Sequence, residues 1–453
     1  MTAADNGLLS VASIVLDRAM ASGADSAEVL VRTGRELSAK VRLGVPELLE
    51  QASHRALGLR VLRGGRQAIC HTSDFSEPAL VAFAEETARL ARLAEPDPDA
   101  GPPDPGILAT AWPDLGLFDE AVAALGPEQA MEMAFGAEGA ARDYDPRITN
   151  SEGATCSVSA GQRALVTSGG FAGAFSGTSV SLEVEAVADD EGGKKRNGSW
   201  WDSRRRLGAL ASPEAIGKEA ARRTLAQLGA KKIPSCKVPV VFSPEAGAQV
   251  LRSLFGLVSG DAAFRRATFF LEQEGRIVAS PLCTVLDDPL IEGAPGSRPF
   301  DGEGLPSRRN LLVDRGTFTG FLCDTYAGRR LGRPSTASAG RGVGSAPAVS
   351  PSNFFLARGD TPPEALLRDT PEGLYVEQLM GFGWNPVTGD FSKGAEGFWI
   401  EGGERAFPVS EVTISARFED LLMGIDAVGD DLDHKSAIAS PTFRVSRMTV
   451  AGS

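Results

Sequence analysis

Carboxylates and histidines are the side chains of this sequence that could run hydrolytic or metal chemistry, and their spacing restricts what that chemistry could be. The three histidines are His54, His71 and His434, and no two lie three to five residues apart. A zinc pair on one helix face needs that spacing, so none is available. No histidine follows a nucleophile elbow, which leaves a Ser–His–Asp system without a recognisable base. Acidic residues cluster at Asp287-Asp288, at Asp301-Gly302-Glu303-Gly304, and at Asp430-Asp431 with Asp433 and His434. None of these has a calcium-loop spacing. The glycines beside Asp301 and Glu303 allow a sharp turn that would converge two carboxyl groups, and the same pattern is also ordinary turn chemistry.

Two further stretches invite a binding function. Gly340-Arg341-Gly342-Val343-Gly344 lacks the lysine and hydroxyl of a phosphate loop. It reads as a flexible turn, or as backbone N–H groups offered to an anion. Lys194-Lys195-Arg196 and Arg204-Arg205-Arg206 flank Trp200-Trp201, as a solvated hairpin tip or a basic, aromatic groove would. A formal charge of −13 and a pI near 5.0 argue against direct nucleic-acid binding, which depends on a positive field. Five well-separated cysteines in apolar runs read as reduced core residues. With no basic stretch before the N-terminal apolar residues and no run of 18 apolar residues, the expectation is a cytoplasmic protein that does not enter a membrane.

The elements that must position these groups follow from periodicity. A chain of 453 residues exceeds one compact core, and the expected division is residues 1–230 and 235–453 around Lys231-Lys232-Ile233-Pro234. Apolar positions from Leu8 to Ala19 have helical spacing, and β-type runs follow over Ser26–Val45, broken at Gly34 and Pro46. Gly64-Gly65 marks a tight hairpin, and Ser76-Glu77-Pro78 opens a helix. An antiparallel stretch over Ile148–Trp201 should turn at Gly161, Gly169-Gly170 and Gly192-Gly193. Strand Val238–Phe242 leads into a helix at Pro244–Val258. Gly381–Gly403 is too rich in glycine for a helix and reads as strand, turn, strand, with Phe382, Trp384, Phe398, Trp399 and Ile400 supplying surface to bury.

Four runs carry a family resemblance: SRPFDGEGLPSRRN (297–310), EGLYVEQLMGFGWNPVTGDFSKGAEGFWIEGGE (372–404), FPVSEVTI (407–414) and PTFRVSRMTVAG (441–452). Together they resemble the TldD/PmbA family, and more narrowly its PmbA, or TldE, branch. The resemblance implies an α+β fold: helices on a sheet, then a C-terminal domain with a large antiparallel, barrel-like sheet. It also implies kinship with zinc peptidases, since TldD members carry His-Glu-x-x-x-His on the helix after the first strand of the second domain, with a cysteine ligand further on. Those members cleave peptides in an enclosed cavity. PmbA members pair with them in maturing peptide antibiotics and degrading unfolded antitoxins, and bear an older label as modulators of DNA gyrase.

Counting from Pro244 places Arg252, Ser253 and Leu257 where that motif would stand, and no cysteine follows Cys323. Arginine keeps its proton, leucine has no donor atom, and serine cannot replace a glutamate base. The resemblance therefore implies a non-catalytic subunit that holds no cofactor, with zinc in a TldD-type partner chain. Its other partner is an extended peptide lying along a sheet edge, and a homodimer of the chain alone is left open. Asp301, Glu303, Asn385 and Asp390 are the expected substrate or partner contacts. Two alternatives stay open: a hydrolase with a replaced carboxylate site at Asp301, Glu303 or Asp430–His434, and a non-proteolytic modulator of a larger target such as gyrase.

Overall fold

A computed structural model describes residues 3–452 and shows an α+β protein in two halves. The N-terminal half is a six-stranded antiparallel sheet: β1 (Ser26–Arg42), β2 (Val45–Arg63), β3 (Arg66–Thr72), β4 (Ile148–Thr167), β5 (Ala172–Asp189) and β6 (Lys195–Arg204), in the order β3-β2-β1-β4-β5-β6. One face is covered by α1 (Ala3–Ala21), α2 (Glu77–Ala91), α3 (Glu120–Ala124), α4 (Pro127–Arg142) and α5 (Pro213–Ala226). Strand alternation explains this: Ala27, Val29, Val31, Leu37, Ala39 and Val41 of β1 all point to that face and are buried there. The opposite face carries Glu28 and Leu30, with Arg60 and Arg163 at their side, and receives loops from the C-terminal half.

Glycine in these strands marks bends rather than breaks. Gly34, Gly161 and Gly177 stand in one cross-strand row, so β1 and β4 run unbroken through the positions where an interruption and a turn were expected. A Cβ on Gly161 would lie 2.7 Å from the Thr33 carbonyl oxygen, which is why only glycine fits that close approach. Pro46 does not interrupt β2 either; it lies beside a register shift near the hairpin turn, where a missing N–H is tolerated.

The C-terminal half closes a barrel. Strand β7 (Cys236–Phe242) is followed by α6 (Pro244–Val258) and α7 (Gly260–Phe264). Four short strands, β8 (Val285–Asp287), β9 (Asn310–Asp314), β10 (Thr317–Phe318) and β13 (Phe354–Leu356), form a side sheet with β18 (Ile438–Ala439). Between them stand α8 (Thr325–Leu331) and the ribbon β11 (Ala339–Gly340) and β12 (Ala348–Val349). The barrel strands are β14 (Glu372–Met380), β15 (Asp390–Glu401), β16 (Glu404–Arg417), β7 and β19 (Phe443–Ala451), with β17 (Ile425–Val428) added on β19. Pairing of Thr413–Ser415 with Thr449–Ala451 joins β16 to β19 and closes five strands into a ring. Only β14 and β7 are parallel within it. Val240, Phe242, Val376, Phe391, Ile414 and Val445 fill the core together with Val250, Leu254 and Leu257 of α6.

Candidate functional site

Helix α6 stands where a metal motif was sought. Ser243 caps it, its hydroxyl oxygen accepting from Ala246 N–H at 3.2 Å, and Pro244 occupies the first turn. Leu257 lies fully buried in the barrel core, whereas Arg252 is exposed and Ser253 donates to the Gln249 carbonyl at 3.4 Å. Five residues apart on a regular helix, positions 252 and 257 diverge by about 140°. Neither side chain is a donor and they do not address a common point, so the residues present do not fit a zinc ion here. Among the described residues no three His, Cys, Asp or Glu side chains cluster closely enough to hold a metal.

Beside α6 a cleft of about 830 Å³ separates the two halves. Glu245 and Gln249 of α6, Glu377 of β14, Glu396 of β15 and the Pro408–Val412 stretch of β16 form one wall. Glu185, Arg196, Trp200 and Arg223 belong to the other. Burial raises the Glu377 carboxyl above its ordinary range, and the charges of Arg223 and Arg405 oppose that rise. Arg405 lies 3.4 Å from Glu377 and 3.7 Å above the Tyr375 ring. The linker between the halves is already seated on the barrel edge: Lys231 N–H donates to Pro408 O at 2.9 Å, and Ser410 N–H donates to Lys231 O at 3.0 Å. This edge of β16 thus accepts an extended chain through backbone hydrogen bonds.

The basic, aromatic segment near this cleft is largely neutralised. Arg196 pairs with Asp190 at 2.8 Å, Arg204 with Asp433 at 2.7 Å, Arg206 with Glu292 at 2.7 Å, and Lys195 with Asp189. Arg205 donates to the carbonyls of Ala294 and Pro295. Trp200 has two cations at its ring, Arg223 at 3.9 Å and Lys435 at 4.1 Å from the ring centroid. Arg204, Arg205 and Arg206 join the two halves of the molecule, whereas Lys195 and Arg196 are occupied within the N-terminal half.

Asp301 and Glu303 do converge, but in the interior. Asp301 Oδ1 accepts from the N–H groups of Glu303 and Leu305, both at 2.9 Å, and Oδ2 accepts from Ala339 N–H at 3.1 Å. Glu303 Oε2 accepts from Thr325 N–H at 2.9 Å and from its hydroxyl at 2.7 Å, fixing the start of α8. Both carboxyls are buried. Burial, reinforced by the charges of Asp301 and Asp324, holds the Glu303 carboxyl well above its ordinary range. Burial also pushes Asp324, the N-cap of α8, up to about 6. The adjoining Phe300 packs against Phe171 and Trp112, with ring centroids 4.8 and 4.9 Å away, so the whole turn is part of the junction between the halves.

The other acidic cluster disperses. Asp431 accepts from Thr442 N–H and hydroxyl at 2.8 and 2.7 Å, Asp433 pairs with Arg204, and His434 packs edge-on against Phe355. Asn385 and Asp390 lie together in solvent at the end of the β14–β15 hairpin. Asn385 Oδ1 accepts from Val387 and Thr388 N–H, and Thr388 donates to Asp390. Trp384 rests on Phe418 with ring centroids 4.6 Å apart, and Phe398 and Ile400 are buried. Phe382, by contrast, is 100% exposed, contrary to the expectation that this stretch buries its aromatics. The left-handed Gly381 turns the chain outward just before it.

Sequence inspection missed the charge cluster at the junction. Arg341, in the loop read as a flexible turn or an anion cradle, inserts into the N-terminal sheet and pairs with Glu28. Arg60 approaches the other oxygen of Glu28 at 3.2 Å, and Arg163 donates to the Arg341 carbonyl at 2.9 Å. Burial would raise the Glu28 carboxyl, but Arg60 and Arg341 hold it below its ordinary range. Burial and the neighbouring arginines lower Arg163 to about 9. Glu28 alternates with the core-facing Ala27, Val29 and Val31, so in sequence it reads as an ordinary solvated strand position and carries no signal of the cluster.

A helix-covered sheet, a closed barrel and a cleft at their junction define a two-part α+β scaffold. Models of the PmbA/TldA metallopeptidase family match its domain 1 at residues 27–91, its central domain at 120–228 and its C-terminal domain at 235–452. The chain belongs to the PmbA/TldD family. It is 34% identical to the metalloprotease PmbA of Escherichia coli O157:H7 over 96% of this chain and 94% of that one. The crystal structure of a candidate modulator of DNA gyrase from Bacteroides thetaiotaomicron superposes with a TM-score of 0.91 at 27% identity, covering 98% of each chain. TldE from Thermococcus kodakarensis shares the fold, with a TM-score of 0.87 at 23% identity over 98% of this chain and all of that one. The first two family domains share one continuous sheet here, since β1–β3 and β4–β6 belong to the same ladder.

Proposed function

We propose that this chain is the non-catalytic, PmbA/TldE-type subunit of a two-chain metallopeptidase that acts on peptides and unfolded small proteins. A TldD-type partner supplies the zinc and the water-activating base. This chain supplies a wall of the reaction chamber and a strand edge on which an extended substrate is held. The observation that carries the reading is the seating of Lys231 on β16, which supports strand addition as the way this cleft takes up a backbone. The exposed Arg252 and buried Leu257 support placing the metal in the other chain. N–H donors on both oxygens of Asp301, and N–H and hydroxyl donors on Oε2 of Glu303, weigh against a replaced carboxylate site.

Co-expression with a TldD-type chain tests the proposal. Peptide cleavage is expected from the pair and not from this chain alone, with one zinc per pair and none in the isolated chain by elemental analysis. Stoichiometric zinc in the isolated chain, or cleavage by it, would overturn the reading.

A further inference from the structure

Three arginines meet without a counter-ion at the corner where the open face of the N-terminal sheet runs under the C-terminal half. Arg32 of β1 and Arg163 of β4 are directly opposed across the ladder, on the face away from the helices. Like charges so placed are unfavourable in a sheet. Arg298 comes from the C-terminal half: it donates to Ser350 O at 3.3 Å, and its Nη1 would lie 3.8 Å from a Cβ on Gly340. Arg163 donates to the carbonyl of the next residue, Arg341. Guanidinium groups from both halves therefore flank one short segment, Gly340-Arg341. Among the described residues none of the three makes an ion pair, whereas Arg60 and Arg341 share Glu28. Arg298 does face the charges of Asp287 and Asp301, but burial raises both carboxyls in spite of it, and both already accept backbone N–H groups. Its Nε is buried and has no acceptor. Burial, and then the charges of Arg32, Arg298 and Arg341, lower Arg163 to about 9, with Asp301 opposing. Positive charge concentrated in this way costs stability in the free chain, which is the mark of a place built to bind.

We propose that this corner binds one carboxylate of an extended peptide, gripped by the guanidinium forks of Arg32 and Arg163 with Arg298 adding charge from the other half. The proposal rests on the reading of this chain as a peptide-holding subunit and adds the chemical class that the subunit selects. A ligand has access, since Arg32 is exposed and Arg163 and Arg298 are partly so. The neighbours of Arg32 on this face are small, Gly34 along β1 and Ala56 across on β2, with the His54 ring lying against Gly34. The planar fork of arginine matches a carboxylate in two parallel hydrogen bonds. Further along the same face stand the exposed Glu36 of β1 and Glu50 of β2. A polyanion such as nucleic acid would run into those carboxylates, whereas a single carboxylate on an otherwise neutral chain would not. A chain end and an acidic side chain offer the same group.

A short peptide of alanine and serine, labelled at its N-terminus with tetramethylrhodamine, tests this by fluorescence anisotropy on the full chain alone at low ionic strength. It is made in three forms: amidated, with a free C-terminus, and amidated with one central glutamate. A carboxylate should tighten binding about tenfold or more over the amidated neutral form. Tightening by the free C-terminus alone assigns the site to chain ends, and tightening by glutamate alone assigns it to acidic side chains. Arg32→Gln should abolish the preference and keep or raise the melting temperature, because it relieves a like-charge contact. Arg55→Gln, the same change on the helix-covered face, should leave the preference intact. Equal or undetectable binding of all three peptides, a preference that survives Arg32→Gln, or a melting temperature that falls with Arg32→Gln would overturn the proposal. Cleavage by the co-expressed pair is a separate readout. A pair that cleaves the neutral peptide, with no carboxylate preference in this chain, keeps the subunit reading and loses this site; a preference without cleavage does the reverse.

Discussion

Arg341 and Glu28, 313 positions apart in sequence, form a buried ion pair that ties the C-terminal half to the centre of the N-terminal sheet. Both side chains are almost wholly withdrawn from solvent, and Arg60 shares the carboxylate. Removing one partner strands the others: Glu28→Ala should cost about 3–5 kcal/mol, because two arginines then lie buried without a counter-charge. Urea unfolding measures it. A loss below about 1 kcal/mol would mean that water reaches the cluster and screens it.

Gly58 is the second clamp on the same loop. A Cβ built there would lie 1.9 Å from the Val343 carbonyl oxygen, a contact no rotamer relieves. Gly58→Ala should therefore displace residues 340–345, lower stability by several kcal/mol and open that loop to limited proteolysis. Gly208→Ala, where a Cβ meets nothing within 4 Å, serves as the control.

Glu303 and Asp324 should make the junction sensitive to alkali. Burial raises both carboxyls in the folded chain, Asp324 to about 6 and Glu303 well above its ordinary value. The folded state therefore binds protons more tightly than the unfolded one, and stability falls as pH rises from the ordinary carboxyl range through each folded pKa. Glu303→Gln keeps an acceptor for Thr325 and removes the titration, so its stability should decline less between pH 5 and pH 8 than that of the wild type. Parallel denaturation curves for the two proteins across that range would refute the assignment.

Phe382 makes no demand on folding. Fully exposed, its replacement by serine should change stability by no more than about 0.5 kcal/mol in a melting experiment. In the co-expressed pair the same variant should raise KM or weaken assembly, as expected of an apolar side chain kept at a hairpin tip for contact with another molecule.

Much of this architecture was legible because local rules decide it. Helix α6 begins at Pro244 and ends at Val258 as its cap and periodicity dictate, and the Gly64-Gly65 hairpin is where its turn chemistry puts it. Gly34 and Gly161 misled because the reason for each glycine is a neighbour in another strand, and a single-sequence pattern does not specify neighbours. The site was less legible still. Asp301 and Glu303 carry the right atoms for a carboxylate pair, and only the three-dimensional structure shows donors from Leu305, Thr325 and Ala339 occupying them. Arg341 looked like part of a loose loop because its partner, Glu28, lies in a distant strand.

The ring of the barrel carries a consequence for biosynthesis. β7 sits between β14 and β19, and its Phe242 pairs with Phe443, roughly 200 residues later. Until the ribosome has made Glu372–Met380, about 130 residues after β7, β7 has neither neighbour, and until it reaches Phe443 it still lacks β19. The C-terminal half must therefore fold late, after most of the polypeptide has emerged, and should be the half that leans on chaperones.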